Sequence, residues 1–380
     1  MKIDFLSEAK ELKEKLISLR QEFHKIPEIG NKEFKTSELI EKVLDELKIP
    51  HKRILDTAVI AKLEGKNPGK NSALRSDIDA LPINENTGAE FSSKNPGFMH
   101  ACGHDVHMTG ALGAAMILKK HEKDLCGSVT FLFQPDEEGS GGADRMIKAG
   151  CIENIDAVFG CHVDPALPAG HVGIKYGNFY AASAMFKIII LGKSAHGAQR
   201  DKGIDAIEIS SQIINEVLKM NKPGSVVTVG MINAGTAGNI LAAKSEFNGI
   251  IRTFGVNERA RMVKEFEDIV KKFSDLYGAK YECNFNLSTP GIVNDNDKLT
   301  SFVENIARET LGSENVNIIE KPLFISEDFG YFITAKTGNF YHIGAACEYP
   351  LHSDKFLPVP DAIITASAVH SAVVFNFNKD

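Results

Sequence analysis

Three histidines, a cysteine and an aspartate lie within the octet His100–His107 (HACGHDVH), directly before an apolar run rich in Ala and Gly. Such a density of sulfur, nitrogen and carboxylate donors is typical of a metal site. Cys102 and His104 are two residues apart, so an extended backbone would direct both side chains to one face, where they share an ion. A buried thiol beside a histidine that caps a helix is the alternative. A catalytic metal needs further ligands from elsewhere in the chain.

Three later segments supply such ligands. The β-branched and aromatic run Val129–Phe133 is a predicted strand, and after Gln-Pro it is followed by the acids Asp136–Glu138. Adjacent carboxylates whose side chains point in opposite directions can have different roles, one binding metal and the other acting as general base. A solvated acidic turn is the alternative. His162 ends a second apolar run, and His352 lies near the end of the sequence. Together these residues are sufficient for two divalent ions in a shared site.

Several motifs occur in an order that resembles the M20 metallopeptidase family, specifically its amidohydrolase branch of hippurate hydrolases, auxin-conjugate hydrolases and N-acyl-amino-acid deacylases. The motifs are LRSDIDALP (74–82), HACGHD (100–105), QPDEEG (134–139), GCH (160–162), SEDF (326–329) and LHS (351–353). They extend over nearly the whole chain, and several motifs in one order are more specific than any single pattern.

The resemblance implies a set of metal ligands for two divalent ions. These are Cys102, His104, Glu138, His162 and His352. It also implies that Glu137 is the general base, while Asp77 and Asp79 orient the ligands from beside the metals without binding them. A thiolate among the ligands favours Zn, Mn, Co or Ni over Mg or Ca.

The resemblance assigns three further residues to the substrate. His196 would stabilise the oxyanion, and Asn239 and Arg252 would bind the substrate carboxylate. From the residues alone, a surface turn is the alternative for His196 and Asn239, and an ion pair across neighbouring strands is the alternative for Arg252.

The chain departs from the family pattern at three places. Asp136 stands where relatives have a small residue, and its charge is expected to raise the pKa of a neighbouring carboxyl group. The segment after His196 lacks a proline and a second histidine, and the segment after Asn239 lacks a proline. These departures do not change the predicted reaction chemistry, but they leave the substrate preference open.

Composition sets the broad class. With 380 residues, 43% of them hydrophobic and 24% charged, the chain is expected to be globular with two domains. The net charge of −7, without a basic block, argues against nucleic acid as a partner. Charges in Met1–Glu8 and the lack of a long apolar run argue against a signal peptide or membrane span, so we expect a cytoplasmic protein. The six cysteines show no disulfide framework.

Periodicity predicts the elements that position these residues. Amphipathic helices are expected at Phe5–Phe23 and Thr36–Leu47. Predicted strands are Ala58–Leu63, Ser72–Arg75, Ser128–Phe133 and Ala157–Cys161. Their alternation with helices favours an α/β catalytic domain with a mostly parallel sheet, formed by 1–181 and 291–380.

An inserted domain is predicted over 182–290. Its pattern is strand, helix, two strands, helix and strand, over Ala184–Gly192, Gly203–Met220, Ser225–Ile232, Ser245–Phe254, Glu258–Tyr277 and Lys280–Leu287. This order is ferredoxin-like. Such a unit leaves an edge strand, so we expect it to form a lid and to pair with its twin in a homodimer. The resemblance adds that His196 serves the neighbouring subunit.

These expectations favour a metal-dependent amidohydrolase that cleaves an N-acyl amino acid or a similar small conjugate. An exopeptidase or dipeptidase, or an N-acetyl-diaminopimelate deacetylase, is the alternative within the family. A catalytically silent, metal-binding dimeric paralogue is the alternative from another class. Such a paralogue would have lost a ligand or the base, whereas this chain keeps all six.

Overall fold

The computed structural model describes residues 3–139 and 141–379. Their contacts divide into two units. The inserted unit consists of Tyr180–Ile292 together with Pro322–Ser326, and the main unit contains the other described residues.

The secondary structure alternates between helices and strands for most of the chain. The α-helices are α1 (Phe5–Glu11), α2 (Lys13–His24), α3 (Phe34–Glu46), α4 (His104–Lys120), α5 (Gly142–Lys148), α6 (Ala206–Leu218), α7 (Val256–Tyr277), α8 (Asp297–Leu311), α9 (Gly330–Ala335) and α10 (Asp361–Phe377). The strands are β1 (His51–Ile54), β2 (Ala58–Glu64), β3 (Asn67–Asp77), β4 (Cys126–Gln134), β5 (Ala157–Asp164), β6 (Val172–Ile174), β7 (Gly177–Tyr180), β8 (Ala182–Leu191), β9 (Ser225–Ala234), β10 (Lys244–Thr253), β11 (Lys280–Asn286), β12 (Ile292–Asn294), β13 (Val316–Ile318) and β14 (Gly338–Gly344).

An eight-stranded mixed sheet forms the centre of the main unit, in the order β1-β2-β4-β3-β5-β14-β6-β13. The central strands β4, β3, β5 and β14 are parallel to their neighbours within this group, whereas β2 and β6 flank it antiparallel. Almost every residue of β4 and β5 is buried, as expected for strands covered on both faces. Because the central strands are parallel, their carboxyl ends meet at one edge of the sheet, where His162 lies near the end of β5 and Glu138 follows β4.

Helices α4 and α10 pack on each other in the core of the main unit. Nearly all residues of α10 are buried. The contact requires a glycine in α4, because a Cβ at Gly113 would lie 2.2 Å from Oγ of Ser367. No helix in the described part of the chain combines the length and the apolar character needed to cross a membrane.

The first predicted helix, Phe5–Phe23, is divided in two. Helix α1 ends at Glu11. The N–H of the next residue, Leu12, donates to the carbonyl of Ala9 at 3.2 Å, three residues back, so the regular four-residue spacing is interrupted there. The interruption involves neither glycine nor proline, which is why the sequence pattern does not reveal it.

The inserted unit contains an antiparallel sheet in the order β11-β8-β10-β9. With α6 after β8 and α7 after β10, this is the ferredoxin-like arrangement that the sequence predicts. Both helices pack on one face of the sheet, and a core including Phe186, Phe247 and Phe266 lies between them. Strand β9 is an edge strand and exposes Met231 and Ile232.

One segment belongs to a different unit from the domain predicted for it. The sequence interpretation assigned all of 291–380 to the catalytic domain, but Pro322–Ser326 groups with the inserted unit. Ala181 donates its N–H to the carbonyl of Ile325 at 2.9 Å, and the ring of Phe324 packs on Phe254 with centroids 4.6 Å apart. Backbone pairing and ring stacking, neither visible in sequence, account for the difference.

Candidate active site

The predicted metal ligands converge at the carboxyl edge of the main sheet. Nε2 of His162 and Nε2 of His352 each lie 3.3 Å from Sγ of Cys102. Nε2 of His352 is also 3.3 Å from Oε1 of Glu138. The donor atoms form two groups, Cys102 with His104 and His162, and Cys102 with Glu138 and His352, and within each group all atoms are within 4.8 Å of one another. Cys102 is therefore common to two three-ligand groups.

A left-handed glycine brings Cys102 and His104 together. Gly103 has φ 85° and is the N-cap of α4, so His104 is the first residue of the helix. The prediction that both side chains leave one face of an extended segment is therefore wrong, although the two side chains do converge. Burial, followed by the charge of Glu138, raises the pKa of the Cys102 thiol well above its usual value. Positive charge bound at the ligands would favour its thiolate form.

Two of the three ligand histidines, His104 and His162, have their ring orientation fixed by backbone carbonyls. Nδ1 of His104 lies 2.9 Å from the carbonyl oxygen of Asp79, and Nδ1 of His162 lies 2.8 Å from that of Val163. A carbonyl oxygen only accepts, so each Nδ1 carries the proton and each Nε2 presents a lone pair.

Two donor atoms at the site have no hydrogen-bond partner among the described residues. They are Nε2 of His104 and Oε1 of Glu138, and both are buried. Burying such atoms without a hydrogen bond is costly, and divalent cations bound in the two ligand groups would satisfy them. The donor set therefore fits metal ions.

The acids after β4 differ in their surroundings. Burial, followed by the charge of Glu327, raises the pKa of Glu137 well above its usual value. Burial would also raise the pKa of Glu138, but His352 and His104 lower it below the usual value. Glu138 is further fixed by its N–H, which donates to Oδ2 of Asp79 at 3.0 Å. Positive charge at the ligands would favour the ionised form of Glu137.

Asp136, which departs from the family pattern, is bonded to residues outside the ligand set. Its carboxylate accepts from Nη2 of Arg145 at 2.7 Å, and its N–H donates to Glu33 at 3.0 Å. The charges that raise the pKa of Glu137 come first from Glu327 and Glu138. Arg145 balances the additional charge of Asp136, so this departure from the family pattern has a local partner.

Asp77 and Asp79 lie beside the ligands, as predicted for orienting residues. Oδ1 of Asp77 is 2.7 Å from Nδ1 of His107, and Nε2 of His107 accepts the N–H of Val163 at 2.9 Å. Because both nitrogens of His107 are engaged, His107 is not available as a ligand. Burial would raise the pKa of Asp77, but His104, His107 and Arg75 hold it well below its usual range.

A buried guanidinium behind the site was not predicted. Arg75 is bonded to Oδ2 of Asp77 at 2.9 Å, to Glu327 at 2.8 Å and to Asp328 at 2.9 Å, and its Nε donates to Gln134 at 2.7 Å. Oxygen atoms of Glu137, Glu327 and Asp328 lie within 4.8 Å of one another. Arg75 and Asp77 belong to the motif LRSDIDALP, and Glu327 and Asp328 belong to the motif SEDF. The occurrence of an arginine in one motif and two acids in the other is the signal in the sequence that could have indicated this contact.

In the inserted unit, His196 and Asn239 are neighbours. The N–H of Gly197 donates to the carbonyl of Asn239 at 2.8 Å, and His196 forms a bridge with Ile240. This ladder continues β8 and β10 beyond Leu191 and Lys244.

Arg252 lies at the opposite end of β10, opposite Ser183 and Val226. The eight residue-to-residue steps from Lys244 to Arg252 span about 27 Å of extended strand. Arg252 and Asn239 of one chain are therefore not brought together. Nη1 of Arg252 is buried without a partner, and no described carboxylate pairs with it, so the predicted alternative of a cross-strand ion pair is not found.

Comparison with known proteins identifies relatives along the whole chain. The model of peptidase family M20/M25/M40 matches residues 73–376. Thermostable carboxypeptidase 1 of Saccharolobus solfataricus is 34% identical over 388 residues, 98% of each chain. N-acetyl-L-cysteine deacetylase of Bacillus subtilis is 35% identical over 364 residues, 94% of this chain and 86% of that protein. A crystal structure of a dinuclear metal-binding peptidase from the M20 family, from Bacillus subtilis, matches with a TM-score of 0.86 and 31% identity over 97% of this chain and 98% of that one.

Proposed function

The chain belongs to peptidase family M20/M25/M40 and is a metal-dependent hydrolase, and on this premise we propose that it cleaves the amide bond of N-acyl amino acids or similar small conjugates. The observation that carries the proposal is the pair of three-ligand groups that share Cys102, with the buried carboxyl group of Glu137 beside them. A relative that is named a deacetylase supports the same reaction class.

We propose that Cys102, His104, Glu138, His162 and His352 hold two divalent ions. Bound there, such ions would activate a water molecule as the nucleophile and polarise the scissile carbonyl. The thiolate and imidazole donors favour Zn, Mn, Co or Ni.

The other residues act on protons and charge. Glu137 accepts the proton of the attacking water and then donates it to the leaving nitrogen, so one carboxyl group serves both steps. Asp77 and Asp79 keep the ligand side chains oriented. His196 donates to the oxyanion that develops on the carbonyl. Arg252 binds the α-carboxylate with its planar fork.

We propose a homodimer that pairs through the inserted unit. Along β10, Arg252 is too far from Asn239 and His196 for one small substrate to contact all three residues of a single chain. A partner subunit that supplied His196 and Asn239 would complete the set. The exposed apolar residues on edge strand β9 offer a surface for such pairing.

An exopeptidase is the second candidate, because one relative is named a carboxypeptidase. Its substrates would also carry a free α-carboxylate, so Arg252 does not separate the two candidates. The two candidates differ in the leaving group and in the acyl group of their substrates. A panel of N-acetyl amino acids, hippurate, N-acetyl-diaminopimelate and dipeptides, with metal content measured in parallel, would rank them by kcat/KM.

Carboxylate recognition is tested by comparing an acyl amino acid with its carboxamide. The wild type should prefer the acid, and Arg252→Ala should lose that preference because the fork is removed. Arg261→Ala is the matched control, since Arg261 lies on α7 and pairs with Glu258 and Glu265 at the surface. Equal rates for acid and amide in the wild type, or a preference that survives in Arg252→Ala, would mean that Arg252 does not bind the carboxylate.

A further inference from the structure

The sheet of the inserted unit has one face that its own helices do not cover. Residues of β10 alternate between the faces, so Ile251 is fully buried against α6 and α7 while Ile250 and Arg252 lie on the opposite face. Directly opposite residues of antiparallel strands share a face, which places Met185 beside Ile250 and Val226 beside Arg252.

Apolar side chains share this open face with Arg252. Met185, opposite Ile250, is 56% exposed. Phe254 follows Arg252 by two residues, and its ring packs on Phe324, which is 40% exposed. We refer to Met185, Val226, Ile250, Phe254 and Phe324 as the apolar shelf.

The shelf combines two features that each favour a ligand. A cluster of exposed large apolar side chains marks a binding surface more often than apolar side chains that are exposed singly. Nη1 of Arg252 is buried with no hydrogen-bond partner in the described chain, which is costly for a guanidinium unless an anion pairs with it. A molecule that carries a carboxylate next to an apolar group would satisfy both features at once.

The chemistry of an α-amino acid identifies which part of the substrate lies on the shelf. The carboxylate and the side chain are both attached to Cα, whereas the acyl group lies beyond the amide nitrogen. When Arg252 binds the α-carboxylate, the amino-acid side chain is therefore the group nearest to the shelf.

We infer that the apolar shelf selects substrates whose amino-acid side chain is large and apolar, such as N-acyl phenylalanine, leucine or methionine. This inference rests on the proposed function and names its substrate class. A charged side chain would lose hydration against Met185 and Phe324 without gaining a partner. N-acetyl-diaminopimelate, which ends in an ammonium and a second carboxylate, is accordingly a poor substrate.

The test varies the amino acid at a constant acyl group. In the wild type, kcat/KM should rise from N-acetylalanine to N-acetylleucine and N-acetylphenylalanine by about 10-fold or more, because each methylene in an apolar site contributes roughly 10-fold or more in discrimination. Phe324→Ser and Met185→Ser should each reduce that ratio several-fold. Both side chains are largely exposed, so the folded state should persist.

Two controls isolate the shelf. Leu276→Ser removes an apolar side chain that is 69% exposed on α7 and should leave the ratio unchanged. In a second series, N-acetyl-, N-butyryl- and N-benzoylglycine vary only the acyl group, and their relative kcat/KM values should be the same in Phe324→Ser as in the wild type.

The inference is overturned if the wild type hydrolyses N-acetylalanine as well as N-acetylphenylalanine, or if both shelf variants keep the full ratio. It is also overturned if Phe324→Ser changes the acyl series instead, because the shelf would then contact the acyl group. In these cases hydrolysis of N-acyl amino acids still stands. If no N-acyl amino acid is cleaved at all, the proposed function itself fails and the inference fails with it.

Discussion

Replacing Arg75 by methionine should destabilise the main unit severely. The guanidinium is fully buried and is bonded to Asp77, Glu327 and Asp328. Methionine fills a similar apolar volume, so the main effect is the loss of positive charge and not a cavity. Three buried carboxyl groups would then lose their common partner, while Asp77 would retain only His107 and His104.

The magnitude follows from the kind of interaction removed. Taking one partner from a buried ion pair costs about 3–5 kcal/mol, because the remaining charge stays buried without compensation. For a domain of this size, 1 kcal/mol corresponds to a shift of about 2–4 °C in Tm, so the main transition should fall by about 6–20 °C. Arg53→Met is the matched control. Arg53 pairs with Glu41 where both side chains are about one quarter exposed, and such a pair contributes at most about 1 kcal/mol.

Calorimetry and urea unfolding of the chelated proteins would measure both variants without a contribution from metal binding. If Arg75→Met unfolds at the same temperature and urea concentration as Arg53→Met, the buried network does not contribute to stability as described. A loss in the Arg75 variant with an unchanged m-value would support it.

Three further outcomes are expected. Glu137→Gln should keep its metal content and lower kcat by about 10²–10⁴-fold, because it removes the proton acceptor and leaves the ligands intact; near-normal turnover would refute the role. Cys102→Ala should lose metal and activity together, since both ligand groups share this thiolate, and full activity after exhaustive chelation would contradict the metal assignment. Mixing inactive Glu137→Gln and His196→Ala chains should restore part of the activity if His196 serves the partner subunit, whereas a verified mixed dimer without activity would exclude service in trans.

The sequence predicts the positions of the candidate ligands because they combine unusual residue types with predictable strand ends. Glu138 follows β4, and His162 lies near the end of β5. Both strands run parallel to β3 between them, so the convergence of the two residues follows from the sheet. The ferredoxin-like unit is predictable for a similar reason, since its strands and amphipathic helices alternate with clear periods.

The remainder depends on contacts between distant residues. Arg75 and Glu327 are 252 positions apart, and neither residue type by itself indicates a buried ion pair. The φ of 85° at Gly103 is not encoded in the spacing of Cys102 and His104, so an extended segment was predicted in place of a helix start. The separation of Arg252 from Asn239 likewise becomes visible only when the strand register is known.

The late position of α10 has a consequence for synthesis on the ribosome. All six elements of the ferredoxin-like arrangement lie in the continuous stretch 182–286, so they emerge together, and their contacts close shorter loops than the contact of α10 with α4. The main unit, by contrast, needs β14 to extend the sheet beside β5, and it needs α10 to cover α4. During translation the nascent chain therefore completes the inserted unit first, while the apolar surface of α4 remains exposed until the 91 residues from Leu287 to Phe377 have been added. Chaperone engagement is expected in this interval and at this surface.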